Sequence, residues 1–332
     1  MPLGFWSKLE KPFFVLAPLA NVTDAAFRRV IAKYGKPAVL WTEFVSADGL
    51  AHTPKLPQGA VGRTGKLVLG GREHLLPDLA YTEGERPIVA QLFTGNSDKM
   101  RIAAALVEEL GFDGLDINMG CPDRTIEKQG AGAALIKTPE QAKQVIRAAK
   151  EGAPNLPISV KTRVGYNKDE IDAWIPALLA EDIAALTIHA RTRKEMSDVP
   201  ARWDDVARVV KIRDAMKKKT FVIGNGDVKN LDDARKKIKE SGADGAMLGR
   251  AIFGNPWLFA EKVPSVTEKL EALIEHTKLF EELLGKIKSF SIMKKHYKAY
   301  VNGFPRALEL RMKLMEAKNA SEVERIVLRF LS

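Results

Sequence analysis

Residues 114–122 read GLDINMGCP, an apolar run that halts at Asn118 and turns through Gly120 and Pro122 past a cysteine. A short apolar run bounded by turn residues is how a strand buried on both faces is written. The same form recurs upstream as FFVLA at 13–17, AVLW at 38–41 and PIVAQL at 87–92. Downstream it recurs as PISVK at 157–161, ALTIH at 185–189, FVIG at 221–224 and GAML at 245–248. Between most of these eight runs lie stretches of helical period, at 97–110, 139–150, 170–179, 203–216 and 231–240. Strands alternating with helices imply a parallel sheet. Eight such units within about 250 residues fit the α/β class as a closed (β/α)8 TIM barrel better than an open doubly wound sheet.

After NPWLFAEKVPS the apolar runs cease and the pattern is helical to Ser332. The expected organisation is therefore a barrel over 1–260 followed by a small all-helical domain over 261–332. The tail over 262–332 carries 14 Lys and Arg against nine Asp and Glu, and between 286 and 313 only Glu309 opposes eight basic residues. Lys294, Lys295 and Lys298 beside His296, Tyr297 and Tyr300 suit phosphate contacts and base stacking, with a solvated helix face as the alternative. The Gly- and Pro-rich segment 51–86 reads as an excursion between the second and third strands, with KLVL at 66–69 as a small hairpin strand.

Composition narrows the class. At 45% hydrophobic and 28% charged residues, the 332-residue chain has the makings of a packed core and is not a disordered polymer. Its single cysteine rules out an internal disulfide and any cysteine cage for zinc or iron–sulfur, and favours a reducing, cytoplasmic setting. No run of 18 apolar residues occurs, so no membrane span is expected. The net charge of +10 makes a polyanion the natural partner. A monomer without a metal site is expected.

In a barrel the chemistry sits just past the C-terminal strand ends, and here those positions turn polar. They run into Ala17-Pro18-Leu19, Gln91, Asn118 to Pro122, Lys161-Thr162-Arg163, His189-Ala190-Arg191, Asn225-Gly226-Asp227 and Gly249-Arg250. The glycines at strands seven and eight let backbone N–H groups approach a phosphate, with Arg250 adding charge. The dinucleotide fingerprint G-x-G-x-x-G is absent from the first strand, so a mononucleotide fits better.

Several ordered motifs resemble the tRNA-dihydrouridine synthases, flavin enzymes that reduce uridines in RNA. They are APLANVTDAAFR at 17–28, DINMGCP at 116–122, VKTRVG at 160–165, TIHARTR at 187–193, NGDV at 225–228 and GADGAMLGRAIFGNPWLF at 242–259. KKHYKAYVNGFPRALELR at 294–311 resembles that family's C-terminal helical domain. The resemblance implies FMN as cofactor, NADPH as a transient reductant and tRNA as substrate. Reduction of uracil needs hydride at C6 and a proton at C5. A thiol of pKa about 8.5 is mostly protonated at neutral pH, and the resemblance makes Cys121 that acid.

It further implies that Lys161 and His189 lie near the isoalloxazine, that Gln91 hydrogen bonds it, and that Ala17, Pro18 and Leu19 pass behind it. Asn118 and Arg163 resemble residues that hold a flipped uracil by its polar edge, while Arg163 could equally meet an RNA phosphate. The loop after His189, RTRKEMSDVPARWD, lacks the glycine and aromatic often found before the tryptophan, and Pro122-Asp123-Arg124 also departs from the usual pattern. Two rivals are an FMN barrel reducing a free pyrimidine, which has no use for a basic tail, and a catalytically silent RNA-binding barrel.

Overall fold

The computed structural model describes residues 3–51 and 75–332. The hairpin expected at 66–69 lies outside the described residues. Eight strands form one parallel sheet: β1 Phe13–Leu16, β2 Leu40–Ser46, β3 Ile88–Phe93, β4 Gly114–Met119, β5 Ile158–Arg163, β6 Ala185–His189, β7 Phe221–Asn225 and β8 Gly245–Leu248. Their order is β1-β8-β7-β6-β5-β4-β3-β2. The two ends of that order meet through Ala38 N donating to Phe14 O at 3.0 Å and Leu16 N donating to Val39 O at 3.4 Å, which closes the ring. The barrel is thus the TIM barrel expected.

Each strand falls on one of the eight apolar runs, with one instructive difference. The second was expected to stop at Trp41, but β2 continues through Thr42, Glu43, Phe44, Val45 and Ser46. Polar residues persist there because each has a partner. Thr42 Oγ1 accepts from Gln91 N at 3.0 Å, and Glu43 Oε2 accepts from Lys288 Nζ at 2.6 Å.

The N-terminal mouth is sealed. A 3-10 turn at Gly4–Lys8 lays Trp6 across the barrel axis, with its ring centroid 6.0 Å from Phe13, 5.9 Å from Trp41 and 6.2 Å from Phe221. Only the opposite mouth, where the strands end in polar residues, is left for a ligand.

Four helices follow the barrel: Val266–Leu284, Met293–Tyr300, Ala307–Glu316 and Ala320–Leu331. The first is started by a capping box in which Ser265 Oγ accepts from Glu268 N at 3.2 Å and Glu268 Oε2 accepts from Ser265 N at 2.8 Å. It packs on the barrel helix Ala25–Tyr34, where His276 stacks on Phe27 at 4.7 Å between centroids.

This packing corrects the expected base-stacking face. His296, Tyr297 and Tyr300 are fully buried, with His296 wedged among Phe27, His276 and Phe253. Aromatics spaced among lysines on a helix serve the core here, because the helix presents that side to its neighbours. Lys294 and Lys298 are exposed, while Lys295 is half-buried toward Asp24 and Glu43. The seam between barrel and helices is ion-paired where Lys288 bridges Glu43 and Asp78 at 2.6 Å each. Among the described residues no helix is long and apolar enough to cross a membrane.

Candidate active site at the C-terminal mouth

A cleft of about 360 Å³ opens at the C-terminal mouth, within the range of small-ligand sites. Every site residue expected in the barrel lines it. Ala17, Pro18 and Leu19 leave β1, Gln91 comes from β3, Asn118 and Cys121 from the end of β4, and Lys161 and Arg163 from β5. His189 ends β6, Asn225 ends β7 with Gly226 and Asp227 following it, and Gly249 and Arg250 follow β8. Lys294, Lys295 and Lys298 do not line it.

The cysteine loop is tied down by Asn118. Its Oδ1 accepts from Gly120 N at 3.1 Å and Cys121 N at 2.9 Å, and its Nδ2 donates to Gln91 Oε1 at 3.1 Å. The acceptor half of this amide, expected to face a base, is therefore spent within the chain. Burial raises the Cys121 thiol pKa above its ordinary value. The nearby Asp123 charge adds to this, while the Asp123 backbone N–H and the cations Arg163 and Lys161 oppose it. The group thus rests as a thiol at neutral pH.

Arg163 is nearly all committed. Its Nε donates to Gly120 O at 2.8 Å, and Nη1 donates to Thr192 O at 3.0 Å and Met196 O at 2.8 Å. One guanidinium thus clamps the cysteine loop to the loop after β6, and only Nη2 is left for a ligand. Lys161 has no hydrogen-bond or ion-pair partner among the described residues. Burial lowers its ammonium to about 8, with the Arg163 charge adding and Asp116 opposing. An unpartnered cation in a cleft of this kind suits an anionic group.

His189 is neutral: burial, followed by the cations Lys161, Arg163, Arg191 and Arg250, holds its pKa far below the ordinary imidazole value. Arg191, left out of the expected site set, lines the same cleft although only 2% exposed. It donates to His189 Nε2 at 3.0 Å and to Val199 O at 2.6 Å, and pairs through Nη2 with Asp227. The signal for it was present in HAR at the end of β6. Arg191 stands among the polar strand-end positions, and what the sequence alone does not show is that the loop folds it inward onto His189 and Asp227.

Asp227 Oδ1 accepts from Arg250 Nη2 at 2.6 Å and its Oδ2 from Ala201 N at 2.9 Å. Its carboxylate positions two arginines, and what it offers a phosphate is its backbone. Trp203 lies over Gly224, where any Cβ would come within 2.2 Å of the indole, and Trp203 Nε1 donates to Gly226 O at 2.9 Å. Across that planar peptide the Asp227 N–H points the other way. Gly226, at φ +126°, takes a conformation open to glycine. Neither Gly226 N nor Gly249 N has an acceptor in the chain among the described residues. Asn225 Nδ2 donates to Met247 O at 2.8 Å, pinning β7 to β8 beneath this cradle.

The donor set of Lys161, Arg163 Nη2, Arg250 and free backbone N–H groups fits a phosphate-bearing cofactor. Gln91 and the turn at Pro18 line the same cleft.

Comparison with known proteins places the chain in a family. Residues 15–331 match the dihydrouridine synthase (Dus) family. The chain is 39% identical over 332 residues to the probable tRNA-dihydrouridine synthase 2 of Bacillus subtilis (strain 168), covering 98% of this chain and 96% of that one. It is 36% identical over 331 residues to the probable tRNA-dihydrouridine synthase of Staphylococcus aureus (strain COL), covering 98% and 95%. Among solved structures, the fold is similar to a 2-naphthoyl-CoA reductase complex, with TM-score 0.53 and 11% identity over 75% of this chain and 49% of that one. It is also similar to morphinone reductase, with TM-score 0.50 and 14% identity over 78% and 87%. With residues 15–331 matched by the family and nearly the whole chain covered by relatives 36–39% identical, the chain belongs to the dihydrouridine synthase family.

Proposed function

We propose that this protein is an FMN-dependent tRNA-dihydrouridine synthase that reduces the C5=C6 bond of uridines in tRNA with NADPH as electron source. The observation that carries this reading is the chain's only thiol, half-buried on the wall of a cation-lined cleft at the barrel mouth. FMN, when bound, supplies the hydride that uracil C6 accepts.

The chain's residues do the rest. Gly226, Asp227, Gly249 and Arg250 hold the phosphate through backbone N–H groups and the guanidinium. Lys161 offers a fixed positive charge to the ring's electron-rich edge. His189, neutral, donates from Nδ1 because its Nε2 is occupied as an acceptor. The remaining N–H of Asn118 and the Nη2 of Arg163 meet the carbonyls of the extruded uracil. Cys121 Sγ gives its proton to C5 as negative charge collects there, and the cations Arg163 and Lys161 favour the thiolate left behind. Residues 261–332 act as the RNA-binding domain, with Lys294 and Lys298 free to contact phosphates.

The test is dihydrouridine formation in unmodified tRNA by the FMN-loaded protein, parent against Cys121→Ala. Loss of a positioned acid predicts a fall of about 10²–10⁴-fold at unchanged flavin content. Equal rates overturn the acid role. Removal of 262–332 separates tRNA from a free pyrimidine as substrate, because a small substrate would still turn over.

A further inference from the structure

We propose that Asp116 is a positioning residue: its carboxylate, buried in the barrel beneath the cleft, anchors a directional hydrogen-bond chain through Gln91 and Asn118 that holds the loop carrying Cys121. None of the functional roles described above uses Asp116, although it is fully buried. A buried carboxylate is costly unless each oxygen is satisfied. Here Oδ1 accepts from Ser159 Oγ at 2.5 Å and Oδ2 from Gln91 Nε2 at 2.7 Å.

The direction of the chain is fixed at both ends. An ionised carboxylate only accepts, so Gln91 must turn its Nε2 toward Asp116 and its Oε1 toward Asn118. At the other end the backbone N–H groups of Gly120 and Cys121 only donate, so Asn118 must turn its Oδ1 toward them and its Nδ2 toward Gln91. The observed bonds of 2.7, 3.1 and 2.9 Å follow that order without a break. The register supports it, since Gln91 pairs with Asp116 across β3 and β4 and Asp116 pairs with Ser159 across β4 and β5. Two amides that could otherwise rotate are held in one state each, and the loop bearing the thiol is referred to the rigid barrel floor.

Asp116→Asn tests this at nearly constant volume. The new amide can keep its oxygen on Gln91 Nε2 only by turning its NH2 onto Ser159 Oγ, a hydroxyl that must then accept, so both charge-assisted bonds are lost and the end of the chain no longer fixes its direction. Because Cys121 is the only thiol, its alkylation by iodoacetamide in the FMN-loaded protein reports the loop directly. Asp116→Asn is expected to speed alkylation about tenfold and to lower kcat by a similar factor with KM for tRNA nearly unchanged. The double variant Asp116→Asn/Gln91→Glu moves the charge one link along and again faces every donor with an acceptor. Its alkylation rate is expected to return toward the parent's, which a mere packing role for Asp116 would not produce.

Alkylation within about twofold of the parent in Asp116→Asn, or no recovery in the double variant, overturns the proposal. Should Asp116→Asn not fold, Gln91→Leu cuts the chain at its middle, and a parent-like alkylation rate there overturns it equally. The effect on turnover rests on Cys121 being the acid, whereas the alkylation readout does not. A parent that forms no dihydrouridine but whose thiol responds to Asp116→Asn would retain the chain and remove the functional reading.

Discussion

Arg191 Nη1 donates to Nε2 of His189 at 3.0 Å, while the same guanidinium pairs with Asp227 and so reaches Arg250 through the shared carboxylate. A guanidinium has no lone pair to offer, so the imidazole must accept and its proton must sit on Nδ1. Burial and four neighbouring cations oppose a second proton. In ¹⁵N NMR of the histidine rings, His189 is expected as the neutral Nδ1–H tautomer throughout pH 5–8. Arg191→Met removes the donor and one of the opposing charges, so the pKa should rise toward the ordinary value. A His189 that titrates within that range in the parent would contradict the assignment.

The seam between barrel and helices depends on Lys288. Its ammonium lies between Glu43 of β2 and Asp78, 2.6 Å from each, and is only 13% exposed. Lys288→Met leaves the buried Glu43 and the partly buried Asp78 without the cation that lies between them. Breaking a buried pair on one side costs about 3–5 kcal/mol. Urea unfolding should show a loss of that order, and a loss under about 1 kcal/mol would mean that water already screens the pair.

The barrel was legible because its eight strands are buried on both faces and therefore appear as separate apolar runs. The run expected for β2 stops short at Thr42 and Glu43, where burial depends on Gln91 and on Lys288, the latter 245 residues from Glu43. The cleft was legible for a related reason: strand ends are where polar residues interrupt those runs. What could not be read was direction. Lys294, Lys295 and Lys298 look alike in sequence, yet one helix turn sends Lys295 toward the seam and leaves the others in solvent. Arg191 and Asp116 stand in the strand-end set and in the DINMGCP run, yet a loop arginine and a lone acid in an apolar run carry no local mark of their partners.

His276 gives a pH prediction with a definite sign. It is fully buried, stacked on Phe27, with no hydrogen-bond partner at either ring nitrogen among the described residues, and burial lowers its pKa to about 3. The unfolded chain binds its proton near pH 6.5, so the folded form loses stability as pH falls below that value. His276→Leu removes the linkage at similar volume. Relative to the parent, the variant should gain about 2 kcal/mol between pH 8 and pH 5. An unchanged difference across that range would show that the imidazole acquires its proton inside the fold.

Asp116 carries the opposite sign, and the contrast separates stability from function. Burial raises its pKa to about 6, against the hydrogen bonds from Ser159 and Gln91 and the charge of Lys161. A carboxyl that binds its proton more tightly when folded adds most to stability at low pH and loses that contribution as pH rises from about 4 through 6. Above pH 7 the charged form costs the fold about 3 kcal/mol relative to its value below pH 4. Asp116→Asn has no such dependence. Its stability relative to the parent should therefore climb between pH 4 and 6 and level off above 7, where the altered hydrogen bonds offset part of the gain. Thermal melting across that range checks the slope, and a relative stability that falls with pH would mean that the ionised carboxylate is a net asset to the fold. With the slope as expected and turnover reduced, the barrel tolerates a buried charge for the sake of the thiol loop that the charge orients.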